Sequence, residues 1–179
     1  MNTELTRWVE IAALRDNRNM TLEVRATPEE CRALAKRFDI LEVKALTALL
    51  KISLGRLDSL FKIEGQLTAQ VVQACSVTLD PVDEKIDEPI KEILTNDPAN
   101  LASEDEAASD TDKPIELVEG DRIDVGEVVA QWLGLSLNPF PRSDAPPFAH
   151  IEDEAGIEGK QTWSPFKNLL QGLKGEKKS

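Results

Sequence analysis

The seventeen residues IEGQLTAQVVQACSVTL, Ile63–Leu79, decide how this chain folds. The odd positions are Ile63, Gly65, Leu67, Ala69, Val71, Cys75, Val77 and Leu79, broken only by Gln73. The even positions include Glu64, Gln66, Thr68, Gln70, Ser76 and Thr78. A repeat of two puts alternate side chains on opposite faces of a strand, and a helical repeat of 3.6 cannot generate it. The stretch predicts a strand with one buried and one wet face. Gly65 lies at the apolar parity, so two arrangements fit: one long strand bent at Gly65, or two closely coupled strands.

Downstream, Asp80, Pro81, Val82 and Asp83 predict a turn, and Lys85 to Leu94 a returning strand. Pro89 marks that strand as an edge or places a bulge in it. Upstream, Leu46, Ala48, Leu50, Ile52 and Leu54 share one parity, and Gly55 to Asp58 supply turn residues. Met20 to Arg25 alternate, with Leu22 and Val24 on one face, and predict a short strand. Thr27 then opens a helix as N-cap, with Pro28 in the first turn and Glu30 completing a capping box. Cys31, Leu34, Ala35 and Phe38 give that helix one apolar face. A second helix starts at Asp124, with Glu127 at the capping-box position. Its stripe is Val125, Val128, Val129, Trp132 and Leu133, and Asn138 and Pro139 stop it. The fold class is α+β: a bent antiparallel sheet of about five or six strands, either open or curled towards a barrel, flanked by these helices.

Composition changes at two places. Residues 97–121 hold nine acids and one lysine, and 96–121 read as an acidic, mobile loop. Residues 138–149, NPFPRSDAPPFA, read as an extended proline-rich tail. The tail ends in WSPFKNLLQGLK, where Phe166, Leu169, Leu170 and Leu173 form one face of a short amphipathic helix. A helix this short needs a surface to dock on. Residues 160–179 carry five lysines against one glutamate. We therefore expect one α+β domain over 1–137, with the acidic loop inside it, and a tail over 138–179.

The chain has 179 residues, a net charge of −12 and a pI near 4.6. Such a charge repels phosphate backbones and favours basic protein partners. Cys31 and Cys75 are far apart and form no Cys-x-x-Cys pair, so both read as core thiols in a reducing compartment. The opening MNTELTRWVEIAALRDNR lacks a continuous apolar run, and no stretch reaches the ~20 residues that span a bilayer. The expected compartment is the cytoplasm.

Chemistry is hard to build from this inventory. His150 is the single histidine and lies in the proline-rich stretch. Neither a zinc site of usual spacing nor a supported nucleophile triad can be assembled around it. There is no phosphate-binding glycine motif. The strand over 63–79 carries no aromatic side chain for stacking bases. The sequence thus predicts no catalytic residue, metal, cofactor or small-molecule substrate. Binding features remain: Glu104, Asp105, Glu106, Asp110 and Asp112 in the acidic segment, and Trp163, Phe166, Leu169, Leu170, Leu173, Lys174 and Lys177 in the tail. The first set suits a basic partner. The lysines suit a weak, salt-sensitive RNA contact. A hydrolase would need a clustered titratable pair in a pocket.

Four strings in order carry a family resemblance: LTRWVEIAAL with ATPEECRALAKRFDI, then QACSVTLDPV at 73–82, then GDRIDVGEVVAQWLGLSLNPFPR at 120–142, then WSPFKNLLQGLK. Together they resemble the YceD family, the large ribosomal RNA subunit accumulation proteins, as found in alphaproteobacteria. The resemblance implies a small cytoplasmic, non-enzymatic factor that supports large-subunit ribosomal RNA during ribosome biogenesis. Its partners would be large-subunit precursors or a basic ribosomal protein. The resemblance supplies no catalytic residues. Many members resemble Cys-x-x-Cys at the strand end, with further cysteines after the second helix, which suggests a metal. Here Cys75 keeps the first position, Thr78 takes the second, and no cysteine follows Pro141. We expect no metal in this chain.

Overall fold

The computed structural model describes residues 4–55, 58–102 and 115–143. The chain divides into two units, 1–147 and 148–179, and every described residue belongs to the first. Five strands form one sheet: β2 (Asn19–Arg25), β3 (Glu42–Leu54), β4 (Leu60–Ala74), β5 (Pro81–Thr95) and β6 (Ile115–Leu117), adjacent in that order. A second sheet pairs β1 (Trp8–Glu10) with β7 (Arg122–Asp124). Among the described residues there are three α-helices, α1 (Ile11–Asn17), α2 (Pro28–Arg37) and α3 (Val125–Ser136). This is the α+β class expected, with the main sheet open rather than closed into a barrel.

β4 is a single strand paired along its length. It runs antiparallel to β3 from Leu54↔Phe61 to Glu42↔Val72, and to β5 from Leu60↔Thr95 to Ala74↔Pro81. Phe61, Ile63, Leu67, Ala69 and Val71 are all buried. They join Leu46, Ala48, Leu50 and Ile52 of β3 and Ile86, Ile90 and Leu94 of β5 in one core. Leu14 of α1, Leu34 of α2 and Leu133 of α3 belong to the same core, so the helices cover that face. On the opposite face Gln66, Thr68 and Gln70 are exposed. A one-residue slip would exchange the two sets, so the pattern fixes the register.

Gly65 is neither a turn nor a break. It sits in the unbroken ladder between Leu50 and Ile90. A Cβ there would lie 2.2 Å from the Leu49 carbonyl oxygen and 2.8 Å from Leu50 Cδ2, so only glycine lets β3 approach this closely. The register shift of the sheet falls instead between Val43 and Ala45.

Three expectations need correction. β4 stops at Ala74, and the alternation beyond it does not continue the strand: Val77 is 45% exposed and Leu79 75%. The Cys75 amide donates to the Asp80 carbonyl, the Leu79 amide donates to the Cys75 carbonyl, and Leu79 takes a left-handed φ of 63°. The turn is thus Cys75–Asp80. Pro81 opens β5, where a missing N–H is tolerated. The expected acidic loop over 96–121 also contains structure: a 3-10 turn at Pro98–Ala102 and β6, which pairs parallel to β5 at Ile93↔Ile115. Finally, β1, α1 and β7 were not anticipated.

The helix caps tie these pieces together. Thr27 and Glu30 make the expected capping box, and Glu30 also binds Arg7 at 2.7 Å. The Asp124 carboxylate accepts from the Gly126 and Glu127 amides and from the Arg7 amide. Glu127 does not reach back to close a box. Its carboxylate takes a two-pronged bond from Arg37, which also binds Glu4, and both carboxylates raise the Arg37 pKa. Because the obstruction at Gly65 is backbone, Gly65→Ala should destabilise the fold by about 1–3 kcal/mol. Thr68→Ala, three residues on and exposed, should change stability by less than about 0.5 kcal/mol. Urea denaturation of both variants checks the contrast.

Candidate functional site

The end of β4, its turn to β5, and the chain leaving α3 meet at one junction. Gln73 breaks the apolar parity of its strand for a local reason. It is buried, and its Nε2 donates to the Asn138 carbonyl at 3.0 Å. The Ser76 amide and hydroxyl both donate to the Pro141 carbonyl, at 2.8 and 3.1 Å. Thr78 Oγ1 and Ser143 Oγ are 3.2 Å apart. Asn138, Pro141 and Ser143 are therefore hydrogen-bonded to the end of β4 and its turn.

Cys75 lies at the centre of this junction and is 2% exposed. Its Sγ accepts from the Thr78 amide at 3.4 Å, the Ser143 amide at 3.4 Å and the Ser143 hydroxyl at 3.6 Å. The bonds from Thr78, then those from the Ser143 and Val77 amides, lower its pKa from the usual 9.0 to about 6, while burial opposes them least. Cys31 behaves oppositely: burial raises its pKa. The structure thus brings Cys75, Thr78 and Ser143 together. The signals were a threonine three residues after a cysteine and a hydroxyl just past Pro141.

This cluster does not fit a zinc ion. Such a site takes three or four thiolate, imidazole or carboxylate donors, whereas this one offers one thiol and two neutral hydroxyls. Among the described residues, no three histidines, cysteines or acids are grouped to hold a metal. What the junction can do is favour the thiolate form of Cys75 relative to an ordinary thiol and pin the chain after α3.

A second feature lies on the other side of the same turn. β5 carries Asp83, Glu84, Asp87, Glu88 and Glu92 against Lys85 and Lys91. Asp83 binds Lys44 on the outer face. Glu92 faces inward and accepts from Trp132 Nε1 at 3.1 Å. Beyond β4, β5 is paired only over Ile93–Thr95. Pro89 therefore sits where its other edge has no strand partner among the described residues, as expected. The partner-binding residues expected from sequence, Glu104, Asp105, Glu106, Asp110 and Asp112 with Trp163, Phe166, Leu169, Leu170, Leu173, Lys174 and Lys177, lie outside the described residues.

The lowered pKa of Cys75 has a definite sign. Its folded pKa lies below its unfolded one, so its contribution is complete above pH 9 and lost as pH falls towards 6. Between those limits the stability of the native chain, relative to a Cys75→Ala variant, should rise with pH. Denaturation curves at several pH values check this, and a difference that stays flat would mean the sulfur remains protonated.

No curated protein and no solved structure matches the chain. A family model does match, over residues 63–171, more than half of the sequence. The match starts on β4, then takes in the β4–β5 turn, all of β5, β7, α3 and the Ser143 junction. The family is described as large ribosomal RNA subunit accumulation protein YceD, and this chain belongs to it.

Proposed function

We propose that this chain supports the accumulation of large-subunit ribosomal RNA by binding rather than by catalysis. Its partner on this reading is a basic ribosomal protein, or a large-subunit precursor that presents one. The compartment this requires is the cytoplasm. The family match supplies the ribosomal RNA connection. The observation that carries the binding mode is β5, which sits inside the matched region and exposes Asp83, Asp87 and Glu88 along a largely unpaired edge.

Proteins that neutralise ribosomal RNA are rich in Lys and Arg, and an acidic surface attracts such a partner from a distance. β5 leads in sequence into the run 97–121, which holds nine acids and one lysine. Charge of this kind raises the rate of encounter and disfavours free RNA. Among the described residues, no helix is long and apolar enough to cross a membrane.

Neutralising β5 with Asp87→Asn and Glu88→Gln, together with Glu104→Gln, Asp105→Asn and Glu106→Gln, tests this reading. Affinity for purified large-subunit precursors should fall about tenfold at low salt, and the salt dependence should flatten. Unchanged binding would remove the acidic route. If the purified chain instead shifts protein-free ribosomal RNA, and loses this with Lys174→Gln and Lys177→Gln, the lysine-bearing tail is the contact.

A further inference from the structure

The positive counterpart of this acidic chain lies on the β2 side of the sheet, away from the β5 edge and outside the family-matched residues. β2 ends at Arg25, opposite Thr47, and the Ala26 amide donates to the Leu46 carbonyl as its last rung. The chain then leaves into α2. β3, however, begins five residues before Thr47, at Glu42. Over Glu42–Ala45, β3 has β4 on one side and, among the described residues, no strand on the other. Between that bare edge and α2 lies a cleft of about 790 Å³.

The lining has two parts. Cys31, Ala35, Ile40, Val43 and Leu46 form an apolar floor. Arg25, Arg32, Lys36 and Lys44 surround it, against the single acid Glu42. Arg25 and Lys44 spend their charge partly on Glu23 and Asp83, in solvent-exposed pairs that are easily exchanged. Arg32 and Lys36 are exposed and have no ion pair among the described residues. At the mouth of the cleft, Leu41 is 56% exposed.

We propose that this cleft binds an extended acidic peptide of a partner protein, which adds as a strand to β3 in the position β2 vacates. A strand added to an open edge gains main-chain hydrogen bonds, and its alternate side chains settle into the adjoining pockets. The floor takes the apolar side chains and the cationic rim takes the carboxylates. The cleft has no aromatic lining residue, so it gives a nucleic-acid base no platform to stack on. The edge of β5, by contrast, is blunted against such pairing by Pro89, which has no N–H to donate, and by the inward Glu92. This site is independent of the ribosomal reading and can stand or fall without it.

The test uses the full chain and a fluorescein-labelled peptide of about eight residues alternating Val and Glu. Fluorescence polarisation should show salt-sensitive binding, and amide resonances of Glu42–Ala45 should shift. Arg32→Glu with Lys36→Glu should weaken binding about tenfold. A peptide N-methylated at alternate amides should fail to bind the unaltered chain, which keeps the test valid even if the double variant misfolds. Equal binding of a Val–Lys peptide, preference for single-stranded RNA, or shifts confined to β5 would each overturn the proposal. So would shifts at Glu42–Ala45 produced, with no peptide added, by Glu104→Ser, Asp105→Ser and Glu106→Ser, because the chain would then fill its own cleft.

Discussion

The pairing of β4 with β3 on one side and β5 on the other is the constraint on which the rest of the structure depends. It is held for most of the strand, and it places Phe61, Ile63, Leu67, Ala69 and Val71 on one face. That face is the floor on which all three helices pack. The close approach of β3 at Gly65 follows from the same pairing. Shifting the register by one residue would bury Gln66, Thr68 and Gln70 without partners, at a cost that no helix packing could recover.

The helices are then tied to one another by charged contacts above that apolar core. Arg7 reaches Glu30 at the start of α2, while its amide binds the Asp124 cap of α3. Arg37, at the end of α2, holds Glu127 in the first turn of α3. The N-terminal segment therefore ties two helices that are distant in sequence. Arg7 also raises the value of Glu30 as a cap, since the guanidinium keeps that carboxylate ionised below its usual pKa. The chain leaving α3 is in turn secured at Cys75, so the family-matched region closes on itself.

Much of this was legible, and what was missed has physical reasons. Period-two alternation revealed β2 to β5, and the capping box at Thr27 marked α2 to the residue. The same rule overran at Ala74, because the alternation of Cys75, Val77 and Leu79 continues by chance through a turn that only backbone bonds define. β1, β6 and β7 have three residues each, too few to show a period. They exist because of partners elsewhere in the chain. Thr78 was visible as a departure from a cysteine pattern, but Ser143 was not singled out, and their meeting around one sulfur depends on tertiary contact. The basic cleft had no sequence signal at all. Arg25, Arg32, Lys36 and Lys44 are unremarkable in a row and converge only because α2 crosses the end of β3.

If this chain sustains large-subunit ribosomal RNA by binding, as proposed above, it must associate with the particle that carries that RNA. Depleting the protein from cells, with sucrose-gradient fractionation of extract before depletion, addresses that claim most directly. The protein should sediment with large-subunit precursors, and after depletion mature large-subunit RNA should fall relative to small-subunit RNA. A protein found only at the top of the gradient, with an unchanged RNA ratio after its loss, would contradict it.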